Sequence, residues 1–294
     1  MTVRVLDGPL DGFLLGPPGV GEAAAPTVAA LRARDTVTGL HREFLDAGAE
    51  VIRTLTGALG RWRCNMAGLA DDFAGANRAA CEAAVAARDM AAPAALVAGT
   101  LGPVRERYEP DLLPPPALIE QEAIEQVLLL APHVDLFVCE TMSLGAEAAA
   151  MARAAASTGK PVWVAFTFHE TGPLATRGGE TPAQALGALG DAPVAAVLAN
   201  CTAAETVGAV IDALVPLAGE GIAVGGYAHG FDKVPAEIEG EPDVAIAGRL
   251  GLMPTGYARF AREWIARGAT IIGGCCGVGP AHVAALKRVA GEGA

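Results

Sequence analysis

Three of the chain's six cysteines stand where metal-binding thiolates would be useful. Cys201 closes the run Val197-Leu198-Ala199-Asn200-Cys201-Thr202, and Cys275 and Cys276 close Ile271-Ile272-Gly273-Gly274-Cys275-Cys276-Gly277. Three thiolates meet the needs of a tetrahedral Zn2+ ion and leave its fourth position open, the mark of a catalytic zinc site. Sulfur ligands suit zinc better than magnesium or calcium. They also leave the metal a weak Lewis acid that preserves the nucleophilicity of a further bound thiol, so thiol alkylation follows more naturally than hydrolysis. Adjacent ligands on one ion force a sharp backbone path, and Gly273, Gly274 and Gly277 relieve the crowding there. A cysteine at a strand end is also an ordinary small hydrophobe. That packing role is assigned to Cys64 and Cys81, in or beside a helical pattern, and to Cys139, in an apolar strand.

The elements that must carry these thiols alternate along the whole chain, short β-branched or apolar runs with longer Ala-rich segments of helical period. The strand candidates are Val3 to Leu6, Glu50 to Leu55, Ala94 to Ala98, Val134 to Cys139, Val162 to Phe168, Val194 to Ala199, Gly221 to Gly225 and Ala269 to Ile272. The helix candidates are Asp35 to Ala47, Asn65 to Met90, Ala117 to Leu130, Ala146 to Ser157, Thr181 to Leu189, Ala203 to Leu217, Thr255 to Ala266 and Ala281 to Val289. Alternation of this kind means parallel strands, and eight of them predict an α/β fold, a single (β/α)8 TIM-like barrel over residues 1–294. Several helices end at a glycine (Gly48, Gly159, Gly190, Gly219, Gly268) shortly before the next strand, as a C-terminal cap requires. In a barrel, Cys201 at the end of the sixth strand and the Cys275-Cys276 pair at the end of the eighth face one mouth. Three irregular stretches follow strand C-termini on that same face: Gly16 to Gly21 with Pro17-Pro18-Gly19, the Pro-rich Pro110 to Pro116, and His229 to Arg249.

The bulk properties narrow the partners. Lys and Arg number 21 against 33 Asp and Glu, a formal charge of −12, with the basic residues scattered singly, so a phosphate backbone is repelled and nucleic acid is excluded as a partner. The apolar run Val127-Leu128-Leu129-Leu130-Ala131 stops at Pro132 and His133, too short for a membrane span. The N-terminus Met1-Thr2-Val3-Arg4-Val5-Leu6-Asp7 lacks the apolar stretch of a secretory signal, and a cytoplasmic enzyme is expected. Six cysteines in such a chain are no disulfide framework.

Taken together, Ile271 to His282 (IIGGCCGVGPAH) resembles the C-terminal signature of the homocysteine S-methyltransferase family, and Asn200-Cys201-Thr202 resembles its other zinc motif. Leu6-Asp7-Gly8, the His41 to Ala49 pattern, Val97 to Pro103, Glu140-Thr141 and Phe166-Thr167 extend the resemblance over nearly the whole chain. It implies a TIM-like barrel in which Cys201, Cys275 and Cys276 hold zinc. It also implies homocysteine as the acceptor thiol and, as in members of that family, a methyl from S-methylmethionine, S-adenosylmethionine or betaine. By the same resemblance Asp7 and Glu140 hold the acceptor's amino group, and Gly8 beside Asp7 is expected to contact substrate with them; Asn200, next to a metal ligand, is expected to orient its neighbour or the substrate carboxylate through hydrogen bonds. The alternatives are a turn residue for Asp7 and a solvated acid just past a strand for Glu140.

The chain departs from the family's pattern in three places. Its opening reads Asp7-Gly8-Pro9-Leu10-Asp11-Gly12-Phe13 instead of Asp-Gly-Gly followed by Gly-Thr-Glu, and Pro9 removes an amide N–H. Thr54-Leu55-Thr56-Gly57 has glycine where relatives often carry a tyrosine, which predicts a wider or reshaped acceptor pocket. Tyr227-Ala228-His229-Gly230 replaces a Pro-Asn pair. His229 is read as a loop histidine, with proton transfer, donor contact or a fourth metal ligand as alternatives; the roles of Thr167, His169 and Tyr227 stay open. Aromatic residues to cage a quaternary ammonium are not evident, which favours a sulfonium donor. The expected reaction is methyl transfer from S-methylmethionine or S-adenosylmethionine to the zinc-bound thiolate of homocysteine, giving methionine, with no catalytic side chain beyond the metal site. A different donor or thiol, or a barrel that binds zinc and thiols without turnover, are the alternatives.

Overall fold

The computed structural model describes residues 2–10, 14, 25–232 and 251–292. The Pro17-Pro18-Gly19 stretch, Asp11 to Phe13 and most of the region His229 to Arg249 lie outside the described residues. Eight parallel strands, β1 (Arg4–Val5), β2 (Val51–Arg53), β3 (Leu96–Leu101), β4 (Leu136–Met142), β5 (Val162–Phe166), β6 (Ala196–Asn200), β7 (Ala223–Tyr227) and β8 (Ile271–Ile272), follow one another in the order β1-β8-β7-β6-β5-β4-β3-β2. The ends of that row meet. Leu6 bridges Val51 in parallel, Asp7 N–H donates to Val51 O at 3.0 Å and Glu50 N–H to Val5 O at 2.8 Å, which closes the ring.

Strand alternation sorts side chains to two faces. Leu6, Val51, Ala98, Leu136, Val138, Trp163, Ala165, Ala196, Leu198, Tyr227 and Ile271 form the barrel's interior cluster. Alanine and glycine at several inward positions match the narrow bore: a Cβ on Gly225 would lie 1.9 Å from the carbonyl of Ile271. The alternate residues join the larger core between sheet and helices, where Phe44, Ile52, Val97, Phe137, Val164, Val197, Val207 and Ile272 are fully or nearly fully buried.

The surrounding helices are α1 (Ala25–Arg32), α2 (Arg34–Asp46), α3 (Arg61–Met66), α4 (Phe73–Ala91), α5 (Pro116–Leu130), α6 (Gly145–Ala156), α7 (Pro182–Ala188), α8 (Ala204–Leu214), α9 (Pro254–Ala266) and α10 (Pro280–Glu292). None among the described residues is long and apolar enough to cross a membrane. Proline at the first helical position starts α5, α7, α9 and α10, where its missing N–H is no loss. Thr181 adds a capping box with Gln184 to α7.

Two expectations from the sequence are corrected, and one helix is added. The helix read from Asn65 to Met90 is two helices, because Gly68 turns the chain through φ +71 after Met66 and a short 3-10 turn precedes Phe73. Helix α1 was not foreseen. Gly48, Gly159, Gly190 and Gly268 cap their helices at positive φ, but after α8 the left-handed residue is Gly221, not Gly219.

Candidate metal centre

The Sγ atoms of Cys201, Cys275 and Cys276 all lie within 4.8 Å of one another, and those of Cys201 and Cys276 are 3.7 Å apart. Zn–S bonds of about 2.3 Å at tetrahedral angles separate two sulfurs by about 3.8 Å, so the thiols already stand at ligand spacing. Among the described residues this is the one group of His, Cys, Asp and Glu side chains close enough to hold a metal ion, and no fourth protein ligand joins it.

The backbone sets this spacing. Cys275 N–H donates to Ala228 O at 2.8 Å, Gly274 N–H to Asp7 O at 3.1 Å and Gly230 N–H to Cys276 O at 2.7 Å. The Tyr257 hydroxyl sits 2.8 Å from both the Ala228 and the Gly273 carbonyls. The path leaves no room for side chains: a Cβ on Gly274 would meet Val278 at 2.0 Å, one on Gly273 would meet Leu6 at 2.6 Å, and Gly277, at φ +78, faces the Phe231 ring. Cys201 itself takes a left-handed φ of +48, held by its N–H to Tyr227 O and by the Thr167 hydroxyl donating to its carbonyl, each at 3.3 Å.

Thiol hydrogen bonds from Cys275 and then Cys276, with the Tyr108 hydroxyl at 3.0 Å, push the Cys201 thiol well down; the same bonds push Cys275 up. Cys64, Cys81 and Cys139 are buried elsewhere, and burial pushes the Cys81 thiol up to about 12, as expected of packing cysteines.

A cavity of about 50 Å³ opens beside the thiols, lined by Gly8, Pro9, Arg53, Gly57, Thr100, Arg107, Glu140 and Thr141 among others. Glu140 lines this cavity, Asp7 lies fully buried behind it and is not part of the lining, and Arg53 stands between the two. Its N–H and Nε donate to Asp7 Oδ2 and Oδ1 at 2.8 Å each, and its Nη1 donates to Glu140 Oε1 at 2.5 Å. Nη2 reaches the carbonyls of Gly274 at 2.6 Å and Asp7 at 3.1 Å, and the guanidinium lies 4.6 Å from the centre of the Tyr227 ring. Burial pushes the Asp7 carboxyl up to about 6 against the pull of Arg53, while Arg53, disfavoured by burial, is held well above its usual range by the two acids.

Asn200 does not line the cavity. Its Oδ1 accepts from Thr141 N at 3.2 Å and its Nδ2 donates to Thr141 Oγ1 at 3.0 Å, which fixes Thr141 at φ +65 and aims Glu140 into the mouth. Gly8 packs against the Val278 carbonyl and the Phe44 ring. His229 does not join the thiols as a ligand: Nε2 faces Glu170 Oε1 at 2.8 Å and Nδ1 accepts from Phe231 N–H at 3.3 Å. Sequence reasoning missed Arg53 and Tyr108. Arg53 carried a signal, a charge two residues after Val51 in an apolar strand and so on the inward face. Tyr108 lies in the long loop after β3 and carried none.

The chain matches the family described as homocysteine S-methyltransferase over residues 5–290. Betaine–homocysteine S-methyltransferase 1 of Bos taurus is 28% identical over 279 residues, which cover 88% of this chain and 65% of the relative. The protein of that name from Danio rerio is 28% identical over 306 residues, 94% of this chain and 68% of the relative. The chain thus spans about two thirds of the length of these curated relatives. The crystal structure of the homocysteine methyltransferase MmuM from Escherichia coli, metallated form, superposes with a TM-score of 0.77 at 22% identity, covering 98% of this chain and 96% of that one.

Proposed function

We propose, for a chain that belongs to the homocysteine S-methyltransferase family, that it moves a methyl group from a sulfonium donor, S-methylmethionine or S-adenosylmethionine, to the sulfur of homocysteine, with zinc held by Cys201, Cys275 and Cys276. The observation that carries this reading is the convergence of three thiols at ligand spacing on the rim of the barrel, beside a cavity. Zinc bound there supplies a soft, weakly acidic site that lowers the pKa of a joining thiol, so that its sulfur is nucleophilic at neutral pH.

The chain's own residues do the rest. Cys201 and Cys276 hold their separation through backbone that Tyr257 and Thr167 pin. Thr100, Glu140 and Thr141 wall the space where the acceptor's tail lies, which fixes the direction of attack and converts a bimolecular encounter into an oriented one. No side chain is required as a general base, because the thiol proton leaves to water on binding. The cavity lining includes no aromatic ring among the described residues, and a quaternary ammonium donor is disfavoured for want of a cage. A cytoplasmic setting goes with this reading, since thiol ligands need a reducing compartment.

The test is the metal content of the purified protein together with product analysis from homocysteine and each sulfonium donor. About one zinc per chain and formation of methionine are expected. Cys275→Ala should lose both the zinc and the methionine. A protein that keeps full turnover after its metal has been removed refutes the reading.

A further inference from the structure

Arg53 changes what the mouth of the barrel can recognise. An α-ammonium group brought up to the thiols needs a carboxylate, and the carboxylates at this place are Asp7 and Glu140. Both already face a cation. Asp7 is fully buried with each oxygen 2.8 Å from an Arg53 nitrogen, and Glu140 Oε1 is 2.5 Å from Arg53 Nη1. The guanidinium is fixed from behind by the carbonyls of Asp7 and Gly274 and by the Tyr227 ring, so it does not swing aside. It also does not lose its proton. An ammonium on the remaining oxygen of Glu140 would stand beside a permanent like charge in a poorly solvated site.

Beside them the lining carries groups of the other kind. Thr100, on β3, is 3% exposed and its hydroxyl has no hydrogen-bond partner, yet the residue lines the cavity. Arg107 lines it too, with Nη2 within 3.9 Å of where a Cβ on Gly57 would stand. A hydroxyl and a guanidinium together suit a carboxylate. A cavity of about 50 Å³ holds a few waters at roughly 10–15 Å³ each, room for a short tail.

Resting on the reading of the site as a thiol methyl acceptor, we propose that its acceptors extend to short thiols carrying a carboxylate and no amine, the mercaptoalkanoates. They are taken at least as well as homocysteine, with Arg53 as the specificity-determining residue. In the transfer the acceptor's proton goes to water, its sulfur forms the new S–CH3 bond as the donor's sulfonium S–CH3 bond breaks, and the electron pair of the broken bond stays on the donor as a neutral thioether.

The experiment compares homocysteine with 4-mercaptobutanoate, which is homocysteine without its amino group. Cobalt-loaded protein is titrated with each thiol and the thiolate-to-cobalt absorption read; zinc-loaded protein is assayed with both thiols and both sulfonium donors. A dissociation constant for 4-mercaptobutanoate equal to or below that for homocysteine is expected. Homocysteine binding roughly tenfold tighter or more overturns the inference and leaves the methyltransferase reading intact. Binding in the expected order with neither thiol methylated from either donor overturns the methyltransferase reading and supports the selectivity of the site. Failure of both thiols to bind overturns both. Arg53→Gln should move the preference at least roughly tenfold toward homocysteine while Arg53→Lys keeps the wild-type order; a folded Arg53→Gln with an unchanged ratio removes Arg53 from the argument. Should that variant not fold, the wild-type ratio decides alone.

Discussion

Cys201, Thr141 and Tyr108 share a backbone conformation that side chains avoid, with φ of +48, +65 and +67, and all three belong to the thiol site. Such positions store of order 1–3 kcal/mol each and persist where surrounding bonds over-determine them. Here those bonds are visible: Asn200 grips both the backbone and the hydroxyl of Thr141, and Thr167 and Tyr227 hold the two sides of Cys201. Glycine does the corresponding job under the paired thiols. Gly274→Ala would put a Cβ 2.0 Å from Val278 Cγ1, and overpacking of that kind destabilises by about 1–3 kcal/mol. Urea unfolding should show that loss in the single variant and a partial recovery in Gly274→Ala with Val278→Ala; a single variant as stable as the wild type would show that the turn has slack. The thiols were legible in the sequence because Gly-Gly-Cys-Cys-Gly is a local pattern whose chemistry does not depend on distant neighbours. Arg53 was legible in principle from strand parity, but its partners Asp7 and Glu140 come from other strands, and the triad exists only once the barrel closes. Tyr108 was not legible, because the path of the loop after β3 decides where its hydroxyl points.

At the scale of elements, helix α2 shows that a residue within a family-like pattern can serve packing alone. His41 opens the stretch that resembles a family motif, yet it is fully buried on α2 beside Val37, Phe44 and Leu45, and neither ring nitrogen has a hydrogen-bond partner. Burial pushes its pKa down to about 3 from 6.5, so the folded protein holds it neutral. A group whose folded pKa is depressed contributes stability that is complete above pH 6.5 and is lost as pH falls toward 3. The loss can reach about 5 kcal/mol at the acid end, at about 1.4 kcal/mol per unit. His41→Leu should flatten the acid limb of the stability curve between those values by close to one proton; an unchanged slope would place the acid sensitivity elsewhere. The strands were located correctly and their ends were not. β3 and β4 run three residues past the expected Ala98 and Cys139, to Leu101 and Met142, because the inward positions Thr100 and Glu140 are polar and break the apolar run while the ladder continues. Helix α7, by contrast, begins next to the expected Thr181, where Pro182 and Gln184 spell the cap.

For the molecule as a whole the question is whether a zinc ion on β6 and β8 holds the barrel together or only tightens one end of it. The ligands come from the loops that follow those two strands, with β7 between them in the ring. β7 is bound to both neighbours by its own ladder, Ala223 to Tyr227 against Ala196 to Asn200 on one side and Gly225 and Gly226 against Ile271 and Ile272 on the other. The ring also closes between β1 and β2, at Leu6 and Val51, through backbone contacts that involve none of the three thiols. No hydrogen bond of the sheet waits on the metal. Removal of zinc with a chelator should therefore leave the far-UV circular dichroism of the protein unchanged while lowering its thermal midpoint. With zinc at about a thousandfold over its dissociation constant the ion contributes about 4 kcal/mol, or roughly 8 °C in a chain of this size. The same chelation should leave the midpoint of Cys275→Ala where it was, since that variant has no zinc to lose. A helix and sheet signal that collapsed on chelation would mean that the loops after β6 and β8 carry the fold, contrary to the closed ladder.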